Sequence, residues 1–258
     1  MLTKEEINRY SKQISLNEIN TSGQERLKEA RVLVIGAGGL GCPVIQYLAA
    51  AGVGVIGIVD FDTVELSNLQ RQVIFSTHDI GESKAKIASE KITLLNPHVN
   101  ALVYNTKFIS DNATDIISLY DVVVDCTDNF ETRYVINDTC VMIDKPFVYG
   151  GIYKFEGQMS VFNFQTKDGV KGPTYRCAFP DVAEDALMIN CSLTGVIGTL
   201  PGIIGVLQAN EVIKIITGHG EVCSGKILLY DSLVNIFTSI KIKRNEEAVN
   251  TLLSIKGK

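Results

Sequence analysis

The residues best suited to chemistry begin with Gly36-Ala-Gly38-Gly39-Leu-Gly41. This string lies between the apolar run Arg31–Ile35 and a helix-compatible stretch over Leu40–Ala51. In that setting a G-x-G-x-x-G turn brings backbone N–H groups, at the positive end of a helix, against a phosphate. Asp60 closes the next apolar run, Val53–Val59, where a carboxylate accepts hydrogen bonds from ribose hydroxyls. These features serve NAD and ATP equally. Asn68, Arg71 and Lys84 follow, and an amide, a guanidinium and an ammonium together suit a triphosphate better than a dinucleotide pyrophosphate. Asp128 falls just past the short apolar run Val122–Asp125. Ligands of open α/β sheets bind at that edge, and an acid beside a triphosphate there can hold Mg2+ through oxygen.

Each of these residues also has an ordinary alternative. Arg71 and Lys84 could be solvated surface charges, and Asp128-Asn129 could cap the following helix. Their occurrence together, in this order, favours the nucleotide site. His78, His98 and His219 are assigned to structure.

The elements that must position these groups alternate short β-branched runs with helix-compatible stretches, the pattern of a parallel α/β sheet. Strands are predicted over Arg31–Ile35, Val53–Val59, Ala101–Tyr104, Val122–Asp125 and Phe147–Tyr149. Helices are predicted over Leu40–Ala51, Ser83–Leu95 and Val135–Ile143. From Gly150 the pattern turns to hairpin-like strands, Gln158–Phe164, Lys226–Tyr230 and Ile236–Ile242, the last alternating with one wet face. Gly205–Thr217 reads as a helix closed by Gly218, and 166–190 as a loop. The expected fold is therefore Rossmann-like α/β, a mostly parallel sheet with helices on both faces, extended by antiparallel strands. Residues 1–258 form a single domain, with a nucleotide-binding half over 1–150 and an antiparallel extension over 151–258.

Of 258 residues, 46% are hydrophobic and 21% charged, a globular balance, and the net charge of −5 lacks the basic excess that phosphate-backbone binding needs, so no nucleic acid is expected. Val32–Val59 and Ala186–Asn210 carry no charge, but glycines interrupt both; buried strand, turn and helix are expected, and no membrane span. Met1-Leu-Thr-Lys-Glu-Glu6 has acids where a signal peptide is basic. Cysteines 42, 126, 140, 177, 191 and 223 form no Cys-x-x-Cys pair. Reduced thiols and a cytoplasmic location are the expectation.

The chain resembles the E1-like adenylyltransferases of the ThiF, MoeB and HesA group. The strings that carry this are Arg9-Tyr-Ser-Lys-Gln-Ile14, Gly36–Gly41, Asp60-Phe-Asp-Thr-Val64, Ser67-Asn-Leu-Gln-Arg-Gln72, Asn96-Pro97 and Asp125-Cys-Thr-Asp-Asn129. The resemblance implies an enzyme that uses ATP and Mg2+ to activate the C-terminal carboxylate of a ubiquitin-like sulfur carrier ending in Gly-Gly. Such carriers serve thiamine or molybdopterin synthesis. It assigns Asp60 to the ribose, Asn68, Arg71 and Lys84 to the phosphates, and Asp128 to the metal. Gly36, Gly38, Gly39, Gly41, Asp62, Gln72 and Asn129 belong to the same nucleotide site. An E1-like enzyme acting on a peptide or tRNA-linked carboxylate would use the same residues, and an NAD-dependent oxidoreductase would need only the glycine loop and Asp60.

Three positions depart from the pattern or qualify it. Relatives carry a second arginine in the N-terminal string, which in homodimers reaches the partner's ATP. Lys12 stands there, with Arg9 one turn away as a substitute. Many relatives hold a structural zinc through two Cys-x-x-Cys pairs, but Thr174-Tyr-Arg-Cys177 keeps one cysteine and the C-terminal pair is missing, so no structural zinc is expected. Cys191 matches the cysteine that in the thiamine branch joins the carrier through sulfur chemistry; a buried, inert thiol is its alternative.

Overall fold

The computed structural model describes residues 1–180 and 195–255. Eight strands form one sheet: β1 (Arg31–Ile35), β2 (Val55–Val59), β3 (Asn100–Tyr104), β4 (Val122–Asp125), β5 (Phe147–Tyr153), β6 (Glu156–Phe162), β7 (Lys226–Asp231) and β8 (Ile236–Lys241). Their order is β3-β2-β1-β4-β5-β6-β7-β8. Pairing is parallel from β3 through β5 and antiparallel from β5 to β8. The helices are α1 (Lys4–Arg9), α2 (Ser11–Ile14), α3 (Asn20–Glu29), α4 (Gly41–Ala51), α5 (Lys84–Leu95), α6 (Ser110–Ile117), α7 (Phe130–Met142), α8 (Tyr175–Ala178), α9 (Thr199–Thr217) and α10 (Glu246–Ile255).

Alternate residues of the central strands feed two cores, as the strand period of two requires. Val32, Val34 and Val124 pack with Ile45 and Leu48 of α4, Ile92 of α5 and Ile204 of α9. Leu33, Ile35 and Val123 pack with Ile116, Ile136 and Tyr175 on the opposite face. Helices therefore cover both faces. The strand order reverses between β1 and β4, and the carboxyl ends of those strands form the crevice where such sheets bind ligands.

Two helices are longer than the sequence pattern predicts. Helix α7 starts at Phe130 because the Asn129 side chain accepts the Thr132 N–H at 2.9 Å, an N-cap. Helix α9 starts at Thr199 and runs through the glycines. A Cβ at Gly205 would lie 2.5 Å from the Leu40 carbonyl oxygen, so glycine there sets the close crossing of α9 over α4. By length and composition alone α9 could cross a membrane; here it lies against α4 and the inner strands. Helices α1, α2, α3, α6 and α8 went unread in the sequence, α8 falling within the predicted 166–190 loop, whose residues from 181 lie outside the described residues, although Thr3 and Glu6 form a capping box that marks the start of α1.

The expectation of one wet face on the last strand is corrected. Both faces of β8 are open, with Ile236 at 54%, Phe237 at 49% and Ile240 at 57% exposure, because among the described residues no helix layer extends to this edge of the sheet. At the C-terminus, α10 docks on α7 and α8. Val249 is buried and Leu252 half-buried, but Leu253 stays 41% exposed and contributes little to the docking face. Beside it, the Cys177 sulfur accepts N–H groups from Thr174 at 3.4 Å and Asn245 at 3.3 Å. Burying a valine and part of a leucine is worth roughly 2 kcal/mol. Truncation after Arg244 should therefore lower the melting temperature by about 4–8 °C, read by calorimetry; an unchanged melting temperature would show that α10 adds nothing.

Candidate functional site

The glycine turn is shaped by close backbone approach. Gly36 has φ of +96°, and a Cβ there would lie 2.7 Å from the Cys126 carbonyl oxygen. A Cβ at Gly41 would lie 2.0 Å from the Gly36 oxygen. Asp60 braces this turn: its carboxylate accepts the Ala37 N–H at 2.7 Å and the Asp62 N–H at 2.8 Å. Burial pushes the Asp60 carboxyl up, and those two N–H groups pull it back. Each oxygen keeps a further lone pair for a ligand.

A cavity of about 1000 Å3 opens at the carboxyl ends of β1, β2 and β4. Gly36, Gly38, Gly39, Asp60, Asp62, Asn68, Arg71, Gln72, Lys84, Asp128 and Asn129 line it. Thus eleven of the sequence-derived site residues meet on one wall system; Gly41 sits just behind, locked against Gly36. Lys84 opens α5 and is almost fully buried, with its ammonium 3.1 Å from Asp62. Arg71 donates to the Ser67 carbonyl at 2.9 Å. Asn68 is buried and spends its side chain locally, accepting the Glu65 N–H at 3.2 Å. The Gln72 Oε1 is buried with no hydrogen-bond partner among the described residues, and a Cβ at Gly38 would approach its Nε2 to 3.6 Å.

Asp128 and Asn129 divide the two roles considered for them. Asn129 caps α7. Asp128 is exposed in the cavity wall and takes no hydrogen bond among the described residues. No group of three or more His, Cys, Asp or Glu gathers among the described residues. An open carboxylate at Asp128 fits Mg2+, which is ordinarily held by one or two carboxylates together with substrate phosphates and water.

Two residues that shape this site were given no role in the sequence reading. Asp125, fully buried at the end of β4, accepts the Thr127 N–H at 2.9 Å and hydroxyl at 2.7 Å. Its other oxygen faces Arg133 Nε at 3.6 Å. Arg133 donates to the Thr127 carbonyl at 2.8 Å and stands over the Tyr149 ring at 5.2 Å. Burial pushes the Asp125 carboxyl up and Arg133 pulls it back. No spacing rule pairs the two; the only signal was an acid ending an apolar strand.

Arg9 and Lys12 do not line this cavity within one chain. Arg9 donates to the Leu95 carbonyl at 3.1 Å, capping α5, and Lys12 is exposed on α2. Cys191 lies outside the described residues. Burial pushes the Cys42 thiol up to about 12 and the Cys126 thiol well above its usual value, so neither cysteine beneath the turn is a nucleophile at neutral pH.

The ThiF family model matches residues 10–251. A sulfur carrier protein adenylyltransferase of Thermus thermophilus is 48% identical over 243 residues, covering 94% of this chain and 90% of that protein. A probable molybdopterin-synthase adenylyltransferase of Porphyra purpurea is 49% identical over 92% of this chain, which spans only 61% of that relative. Among solved structures, E. coli MccB with ATP has a TM-score of 0.79 at 24% identity, over 92% of this chain and 72% of that one, a likeness of fold.

Proposed function

The chain belongs to the ThiF family, and on that premise we propose that it is an ATP-dependent adenylyltransferase for the C-terminal glycine carboxylate of a small ubiquitin-like sulfur carrier. The observation that carries the proposal is the cavity itself, which joins a phosphate-binding turn, Arg71, Lys84 and an open carboxylate at one sheet edge. The relatives named above are adenylyltransferases, one for a sulfur carrier and one for molybdopterin synthase.

The carrier carboxylate attacks the α-phosphorus of ATP. A new P–O bond forms to the carboxylate, the bond to the β-phosphate oxygen breaks, and pyrophosphate leaves with the electron pair. A carboxylate is ionised at pH 7, so no base is needed. The chain's task is positioning and charge neutralisation. Turn N–H groups hold phosphate oxygens, Asp60 orients the ribose with its free lone pairs, and Arg71 and Lys84 screen the triphosphate from the incoming anion. Mg2+, when held by Asp128, supplies Lewis-acid stabilisation of charge moving onto pyrophosphate.

The antiparallel extension of 151–258, with its open β7–β8 end, is proposed to receive the carrier. A homodimer is proposed too, supported by an apolar groove beside α9 where Val73 and Ile197 are 63% and 43% exposed. In it Lys12 or Arg9 would approach the partner's phosphates; sedimentation at monomer mass would remove that part. Cytoplasmic location and a sulfur-transfer role for Cys191 belong to the same proposal, the five described cysteines being free.

The test is ATP–pyrophosphate exchange with Mg2+ and a Gly-Gly-ended carrier. Exchange should require the carrier and stop when its terminal glycine is removed. Exchange with a free peptide or a tRNA-linked carboxylate, and none with the carrier, would replace the substrate class. Nicotinamide reduction without any exchange would replace the reaction.

A further inference from the structure

The Asp125–Arg133 pair grips Thr127 at both its backbone N–H and its carbonyl. One oxygen of Asp125 holds the Thr127 N–H and hydroxyl, and Arg133 Nη2 holds the Thr127 carbonyl. That carbonyl belongs to the peptide bond leading into Asp128, the residue whose exposed side chain has no hydrogen bond of its own among the described residues. The pair is itself locked. Arg133 lies between the Phe130 and Tyr149 rings, at 5.7 and 5.2 Å, and reaches the Gly150 carbonyl at 3.4 Å. Gln208 of α9 donates to the Asp125 carbonyl at 2.8 Å.

An ion pair this deep is weak evidence for stability, because desolvating two charges offsets their attraction. Its geometry here is also poor for stability: Asp125 Oδ2 and Arg133 Nε face each other at 3.6 Å, and neither has a hydrogen-bond partner among the described residues. The short side-chain hydrogen bonds of the pair, at 2.7 to 2.9 Å, go to Thr127. The geometry points to Asp125 and Arg133 as positioning residues that fix the peptide before Asp128 and so aim its carboxylate at the metal. This rests on the adenylyltransferase reading and extends it to buried Asp125 and cavity-lining Arg133, whose hydrogen bonds are turned to Thr127. Residues that orient a metal ligand typically contribute about 10- to 100-fold to metal affinity or activity.

The experiment measures ATP affinity by calorimetry, with Mg2+ and with EDTA, in the full chain. The double variant Asp125→Asn/Arg133→Met removes both charges while keeping shape; single losses would strand a buried charge. It should bind ATP in EDTA like the parent, while the gain in affinity on adding Mg2+ falls roughly 10-fold or more. In exchange assays kcat should fall by a similar factor, with KM for the carrier unchanged. Arg133→Lys keeps the charge opposite Asp125, and with it the fold, but loses the fork that spans Asp125 and Thr127; it should show the same loss. A folded double variant, or Arg133→Lys if the double variant does not fold, that retains the full Mg2+ gain overturns the inference. If Asp128→Ala also retains that gain, the metal role of Asp128 has failed, and positioning fails with it. A parent chain that binds no ATP would defeat the adenylyltransferase reading itself.

Discussion

Asp128→Ala is expected to abolish ATP–pyrophosphate exchange while leaving the melting temperature near that of the parent. The side chain is exposed, takes no hydrogen bond among the described residues and removes no core packing when truncated. Its backbone stays fixed, because Asp125 and Arg133 hold Thr127 on one side and Asn129 caps α7 on the other. Loss of function would therefore be a loss of chemistry. Unlike Asp60, which is spent in bracing, and Asp62, which is paired with Lys84, this carboxylate is open to a ligand, and Glu131 is a second open acid in the same wall. Exchange at the parent rate in a folded Asp128→Ala protein would remove the assigned metal site.

Lys84→Ala and Arg71→Ala should each lower exchange by ~10²-fold or more, the usual cost of removing a group that stabilises developing charge in a water-poor site. Their signatures should differ. Lys84 is almost fully buried, so its ammonium acts with little screening. Its removal leaves Asp62 without its ion pair, but that carboxylate is half-exposed and easily hydrated. The loss should therefore appear mainly in kcat. Arg71 is half-buried and donates to its own turn at the Ser67 carbonyl. Its loss should raise the KM for ATP and lower kcat together, with little thermal cost. Lys84→Ala with full kcat would show that this ammonium serves only to pair Asp62.

Much of this arrangement was legible because it is written locally. The G-x-G-x-x-G string, Asp60 and the apolar runs specify a turn between a buried strand and a helix through backbone sterics and hydrogen-bonding rules that act over a few residues. The C-cap at Gly218, with φ of +69°, and the N-cap of α5 at Ser83 were readable for the same reason. Strand existence was equally local, since a run such as Val122–Asp125 can only be buried on both faces.

What the chain could not declare locally are contacts made across the sheet. Arg133 lies in the first turn of α7 and Asp125 ends β4; their pairing depends on how the turn between them folds and on the Tyr149 ring of β5 that Arg133 packs over. The use of Asp60 as a brace depends on a β1–β2 register that sets Ile35 beside Val59. The openness of both faces of β8 depends on which strands the helices reach, which alternation along a single strand cannot encode. Residue type and spacing thus determined which groups were available for phosphate chemistry. Tertiary structure decided which are free to use, because hydrogen-bond capacity consumed in holding the fold is no longer available to a ligand.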